Sequence, residues 1–96
     1  MILSFGDQAT EDIFHGENTK GSRKIPKELW PIIQRKLDML NAASQIRDLL
    51  APPGNRLESL GGALKGCYSI RVNDQYRVIF EFSEGHARAV RATDYH

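Results

Sequence analysis

Gly66-Cys67-Tyr68-Ser69-Ile70-Arg71-Val72-Asn73-Asp74-Gln75-Tyr76-Arg77-Val78-Ile79-Phe80-Glu81-Phe82 is the stretch whose reading decides the fold class. Tyr68, Ile70 and Val72 alternate with Ser69, Arg71 and Asn73; beyond the turn at Asn73-Asp74, Tyr76, Val78, Phe80 and Phe82 alternate with Arg77, Ile79 and Glu81. Successive side chains of a strand point to opposite faces, so each run has one apolar face, and the polar residues between them predict an antiparallel hairpin. A further turn at Glu84-Gly85 leads into His86 to Thr93, a third strand that carries Asp94, Tyr95 and His96 to the end of the sheet. The polar face of the hairpin then holds Arg71 and Arg77 side by side.

Upstream of the hairpin the period changes. Leu29, Trp30, Ile33, Leu37 and Leu40 recur at three and four, which predicts an amphipathic helix starting close to Glu28, with Pro26 and Pro31 tolerated near its first turn and Trp30 in the core. Residues 1 to 5 read as a short strand, and Asp7 offers an N-cap for a first helix through Phe14 that Gly16 stops. Ser44 is placed to cap a short third helix, Gln45 to Leu50, ended by Pro52, Pro53 and Gly54. The polar, glycine-containing segment from Gly16 to Ile25 is expected to be mobile and unable to sustain core contacts of its own. The expected architecture is α+β: a small antiparallel sheet, made of the N-terminal strand plus a C-terminal three-strand meander, covered on one face by two to three helices.

At 96 residues the chain fits one domain, 1–96, and 41% hydrophobic with 26% charged residues describes a folded protein rather than a disordered tail. The start lacks the basic flank and long apolar run of a signal peptide or a membrane span, so a cytoplasmic protein is expected, with no membrane association. Cys67 is the one cysteine and reads as a small core residue. Asp, Glu, His and Cys never gather at ligand spacing and phosphate loops are absent, so no metal and no cofactor is expected. His15 and His86 lack a partner pattern and read as surface residues. The net charge is only +1, but Lys20, Arg23, Lys24 and Lys27 follow an N-terminal stretch without a single Lys or Arg. A solvated loop and a phosphate-contacting arm are equal readings of that cluster.

Pro52-Pro53-Gly54-Asn55-Arg56-Leu57-Glu58, the hairpin from Gly66 to Arg77, and a terminal Asp94-Tyr95-His96 occur in that order. In this combination the chain resembles the HigB-type toxins of the RelE/ParE superfamily over nearly its whole length, from the first strand through Asn18-Thr19-Lys20 to the last residue. The resemblance implies a RelE-like fold and a type II toxin–antitoxin pair. In such a pair the toxin enters the ribosomal A site and cleaves messenger RNA, a helix-turn-helix antitoxin neutralises it, and operator DNA is reached only through the antitoxin complex. It also points to Arg56, in the loop before the sheet, as a phosphate contact. Several relatives carry a histidine where Glu58 stands and a lysine where Gly61 stands, so two candidate catalytic groups are missing here, and Glu58 is either a substitute base or a solvated loop residue.

The residue types suit that chemistry. Cleaving RNA through its own 2′-hydroxyl needs in-line attack, stabilisation of charge on the phosphoryl oxygens, and a proton for the leaving 5′-oxygen. Arg77 has the planar fork that holds two phosphate oxygens, unless it only pairs with Glu81 or Asp94. His96 is the natural proton donor, and the terminal carboxylate and Asp94 favour its charged form. Tyr95 is suited to stacking on a base or bonding a phosphate, and Asp94 to orienting Arg77 or His96. Arg77, His96, Tyr95 and Asp94 are therefore the expected catalytic group, with Arg56, Arg71, Lys65, Arg23 and Lys24 as RNA contacts. Two alternatives share the fold: a non-catalytic toxin like the gyrase-poisoning ParE branch, and a toxin acting chiefly as co-repressor with its antitoxin.

Overall fold

The computed structural model describes residues 1–95. Two α-helices, α1 (Gln8–Phe14) and α2 (Trp30–Ala42), precede four strands, β1 (Glu58–Ser59), β2 (Cys67–Arg71), β3 (Tyr76–Ser83) and β4 (His86–Asp94). The strands form one antiparallel sheet in the order β1-β2-β3-β4. The β2–β3 hairpin has the predicted alternation, and Asn73 shapes its turn: Oδ1 accepts from the N–H groups of Gln75 and Tyr76 at 2.9 and 2.6 Å. This is the local side-chain-to-backbone bond that makes asparagine a turn residue.

The apolar face of the sheet packs on the helix stripe. Ile33, Leu37 and Leu40 of α2 and Ile70, Val78, Phe80 and Val90 of the sheet are all 0% exposed and share one core cluster. Each such side chain contributes about 1.5–3 kcal/mol on burial. Asp7 caps α1, accepting from the Thr10 N–H at 2.9 Å, and Gly16 follows the helix at φ +73°, a left-handed conformation that glycine adopts without a Cβ penalty.

Several expectations are corrected. Residues 1–5 run parallel to β4 through two isolated bridges, Ile2 with Ala87 and Phe5 with Val90, while the fourth antiparallel strand is the short β1. Between Ile79 and Glu81 the β3–β4 register shifts, because β4 carries an extra residue beside Ala89, whose φ is +53°. That bulge breaks the ladder where the N-terminal segment would join it. The third helix is a 3₁₀ helix, Ile46–Leu50, capped by Gln45 instead of Ser44. Asp48 accepts the N–H groups of Gln45 and Ser44, both at 3.0 Å, and these bonds hold its carboxyl below the usual carboxylate range. Helix α2 begins at Trp30 behind a 3₁₀ turn, Lys27–Leu29, with Pro31 in its first turn. Trp30 is only half-buried, its Nε1 donating to the Ile25 carbonyl.

The segment from Gly16 to Ile25 does have core contacts. Ser22 and Ile25 are buried, and the Thr19 hydroxyl donates to the Asp12 carboxylate at 2.5 Å while Gln8 Nε2 donates to its other oxygen at 2.8 Å. A polar segment is held here by one buried acid rather than by apolar area. His86 is also not a plain surface residue: its Nδ1 is buried and has no hydrogen-bond partner among the described residues. Cys67 is a half-buried free thiol. Finally, the face of the sheet opposite the helices is partly closed, since Ser69, Ile79 and Leu60 are buried there or beside it and lie outside the main cluster. No helix of the described residues is long and apolar enough to cross a membrane.

Candidate nucleic-acid interface

Cross-strand register sets Arg71 directly opposite Arg77 at the end of β2, where the Arg71 side chain also reaches α2 residues Arg35 and Lys36. Arg77 leans across β2: Nε donates to Ser69 Oγ at 2.8 Å, Nη2 donates to the Arg56 carbonyl at 2.6 Å, and Nη1 stands 3.8 Å from Glu58 Oε1. Its side chain is 14% exposed, so the guanidinium is oriented before any ligand arrives. The acid it meets is Glu58, in place of the Glu81 or Asp94 considered from sequence.

The Pro52–Glu58 segment explains why Arg56 presents its carbonyl there. Asn55 is fully buried, with its amide nitrogen donating to the carbonyls of Leu49 and Ala51 at 3.1 and 3.3 Å. Arg56 follows in the left-handed region at φ 44°, ψ 55°, and its N–H closes the turn on the Pro53 carbonyl at 3.1 Å. The chain then enters β1, where Glu58 pairs with Ser69. The Arg56 side chain is exposed and makes no hydrogen bond or ion pair among the described residues.

Arg71 binds Asp74 at 2.5 Å, but the Asp74 side chain is 100% exposed, so solvent screens that pair and an incoming anion can compete for Arg71. The C-terminal end of β4 is tied to the hairpin turn, with Gln75 Nε2 donating to Asp94 Oδ2 at 2.7 Å and the Tyr95 N–H donating to the Gln75 carbonyl at 3.1 Å. Thr93 stands opposite Arg77 and Asp94 opposite Tyr76, so alternation turns Arg77 and Asp94 to different faces. Ser69 and the Arg56 carbonyl orient Arg77, and the other role expected of Asp94, orienting His96, involves a residue outside the described ones. His96, the expected proton donor, lies outside the described residues.

Of the remaining expected contacts, Lys65 is exposed just beyond the 3₁₀ turn Gly62–Leu64. Arg23 and Lys24 are exposed on a 3₁₀ turn packed against α1, next to core residue Ile25, and hence on the helix side of the sheet. Arg56, Arg71, Arg77 and the Asp94-Tyr95 end are therefore gathered around the hairpin, while Arg23 and Lys24 are not. Sequence reasoning missed Ser69 and undervalued Glu58. The signal for Ser69 was available, because it is the diagonal neighbour of Arg77 on the same face.

Over residues 3–96 the chain matches the HigB-like toxin family, described as the RelE-like toxin of the type II toxin-antitoxin system HigB. It is 47% identical over 85 residues to Toxin HigB-1 of Vibrio cholerae serotype O1, a match spanning 88% of this chain and 87% of that protein. An uncharacterized protein of Haemophilus influenzae is 49% identical over 59 residues, 62% of this chain and 58% of its own length. Among solved structures, the heterotetrameric YoeB-YefM toxin-antitoxin complex of Staphylococcus aureus contains a chain that superposes with a TM-score of 0.62 at 23% identity, covering 100% of this chain and 95% of that one. That likeness is one of fold.

Proposed function

Because the chain belongs to the HigB-like family of RelE-like toxins of type II toxin–antitoxin systems, we propose that it is a ribosome-dependent endoribonuclease that cleaves translated messenger RNA without a metal. The observation that carries this reading is the pre-oriented Arg77 guanidinium, held by Ser69 and the Arg56 carbonyl beside Arg71. In-line attack by a 2′-oxygen on phosphorus builds negative charge on the phosphoryl oxygens, and a fixed guanidinium stabilises that charge without reorganising. On this reading Glu58, 3.8 Å from Arg77, takes the 2′-hydroxyl proton. His96 supplies a proton to the departing 5′-oxygen, and Tyr95 stacks on a base beside the scissile linkage; both roles rest on the family pattern. Arg56, Lys65 and Arg71 contact phosphates.

On this reading the protein works in the cytoplasm with the ribosome, and a helix-turn-helix antitoxin partner neutralises it and carries the pair to operator DNA. Inducing the wild-type chain is expected to create new in-frame breaks in translated messages when cellular 5′ ends are mapped. Arg77→Gln should reduce those breaks by about 10²–10³-fold, and His96→Ala strongly. Intact messages with DNA damage would reject the nuclease in favour of a gyrase-directed toxin.

A further inference from the structure

Between α2, the Pro52–Gly54 turn and the end of β2 lies a cavity of ≈ 370 Å³ whose lining brings together Arg35, Lys36 and Arg71 over Met39 and Val72. Among the described residues no Asp or Glu lines it, and the one acid bound to a lining cation, Asp74 on Arg71, is fully exposed. Lys36 is half-buried and its ammonium donates to Asn55 Oδ1. Asn55 is itself 0% exposed, and its nitrogen is engaged by the Leu49 and Ala51 carbonyls and by Met39 Sδ, so the amide oxygen is aimed at Lys36 by a fixed frame. An ammonium has three donors, and this contact uses one. Burial, then the charges of Arg35 and Arg71, hold the Lys36 pKa below the usual lysine value, as cations crowded together do.

The geometry points to a second phosphate-binding site: the Arg35–Lys36–Arg71 cavity takes one backbone phosphate of a single-stranded RNA whose scissile linkage lies at Arg77. This rests on the nuclease reading and extends it to the path of the substrate. Arg71 both lines the cavity and stands directly opposite Arg77, so cationic side chains are neighbours from α2 to the hairpin, with the exposed Asp74 and Glu58 as the acids that a phosphate would displace from Arg71 and Arg77. A polymer with an anion on every unit matches such a row, whereas a single carboxylate side chain of a protein partner fills only one place in it.

The test is binding of a 2′-O-methyl RNA oligonucleotide, which cannot be cleaved, to the full chain across a salt series. Wild type is compared with Arg35→Gln, Lys36→Gln and Arg77→Gln. The two α2 variants are expected to bind about tenfold more weakly. The slope of log affinity against log salt should fall by about 0.7 for the lost phosphate contact. Arg35 is exposed and makes no side-chain hydrogen bond among the described residues, so Arg35→Gln remains decisive if Lys36→Gln, which removes a partner of Asn55, fails to fold. Wild-type affinity and slope in Arg35→Gln, with Arg77→Gln still weakened, would overturn the cavity and leave the nuclease reading intact. Tighter binding of a polyglutamate peptide than of RNA, abolished by Arg35→Gln, would assign the cavity to a protein partner and also overturn it. No binding of RNA by wild type would remove the site, while the nuclease reading is judged separately by the map of message breaks.

Discussion

Arg77 has five N–H groups, of which Nε is engaged by Ser69 and one at Nη2 by the Arg56 carbonyl. An anion therefore meets the Nη1 edge, which Glu58 faces from 3.8 Å, beyond hydrogen-bond reach. The Glu58 side chain is 55% exposed, so water screens the pair and a phosphate can displace it. Glu58 thus places a negative charge beside the Nη1 edge that an anion meets. On the proposed reading, Glu58→Gln is expected to tighten binding of uncleavable RNA and to slow single-turnover cleavage by about 10²-fold. If binding and cleavage both rise, Glu58 is only an electrostatic obstacle, and the base is another group.

At the scale of elements, the β4 bulge and the Gly16–Ile25 segment are the features that local propensity did not announce. Ala89 sits at φ +53°, where a Cβ is strained, and its neighbours hold it there: its N–H donates to Ser4 Oγ at 2.9 Å and its carbonyl accepts from Arg91 Nη1 at 3.0 Å. Ala89→Gly is expected to raise stability by about 0.5–1 kcal/mol in urea unfolding, with an unchanged m-value. A loss of stability would mean that the methyl packs favourably enough to outweigh the strain. In the other segment, hydrogen bonds from Thr19 and then Gln8 hold the Asp12 carboxyl below its ordinary pKa. A carboxylate depressed in the folded state contributes stability above its unfolded pKa of about 4, and that contribution is lost as pH falls through the folded value. Asp12→Asn should therefore lower Tm more at pH 7 than at pH 3, and should speed amide exchange over residues 19–25. Equal loss of Tm at both pH values would show that the carboxylate charge is not what holds the segment.

For the whole molecule, a single cluster joins Ile13, Ile25, the α2 stripe, Leu49 and all three long strands, so no part has a separate core to fall back on. Trp30 fluorescence and far-UV circular dichroism are expected to report one coincident unfolding transition, and separated midpoints would refute a shared core. The sequence by itself determined the hairpin, the α2 stripe, the Asp7 cap and the pairing of Arg71 with Arg77, because period, turn chemistry and capping act between residues a few positions apart. Only the tertiary structure decided that Ser69, Glu58 and the Arg56 carbonyl converge on Arg77, that buried Asn55 aims at Lys36, and that Arg23 and Lys24 lie on the other side. Those contacts join segments up to 21 residues apart, and their geometry follows from how the Pro52–Glu58 segment packs between helix and sheet. No residue's own conformational preference encodes that packing.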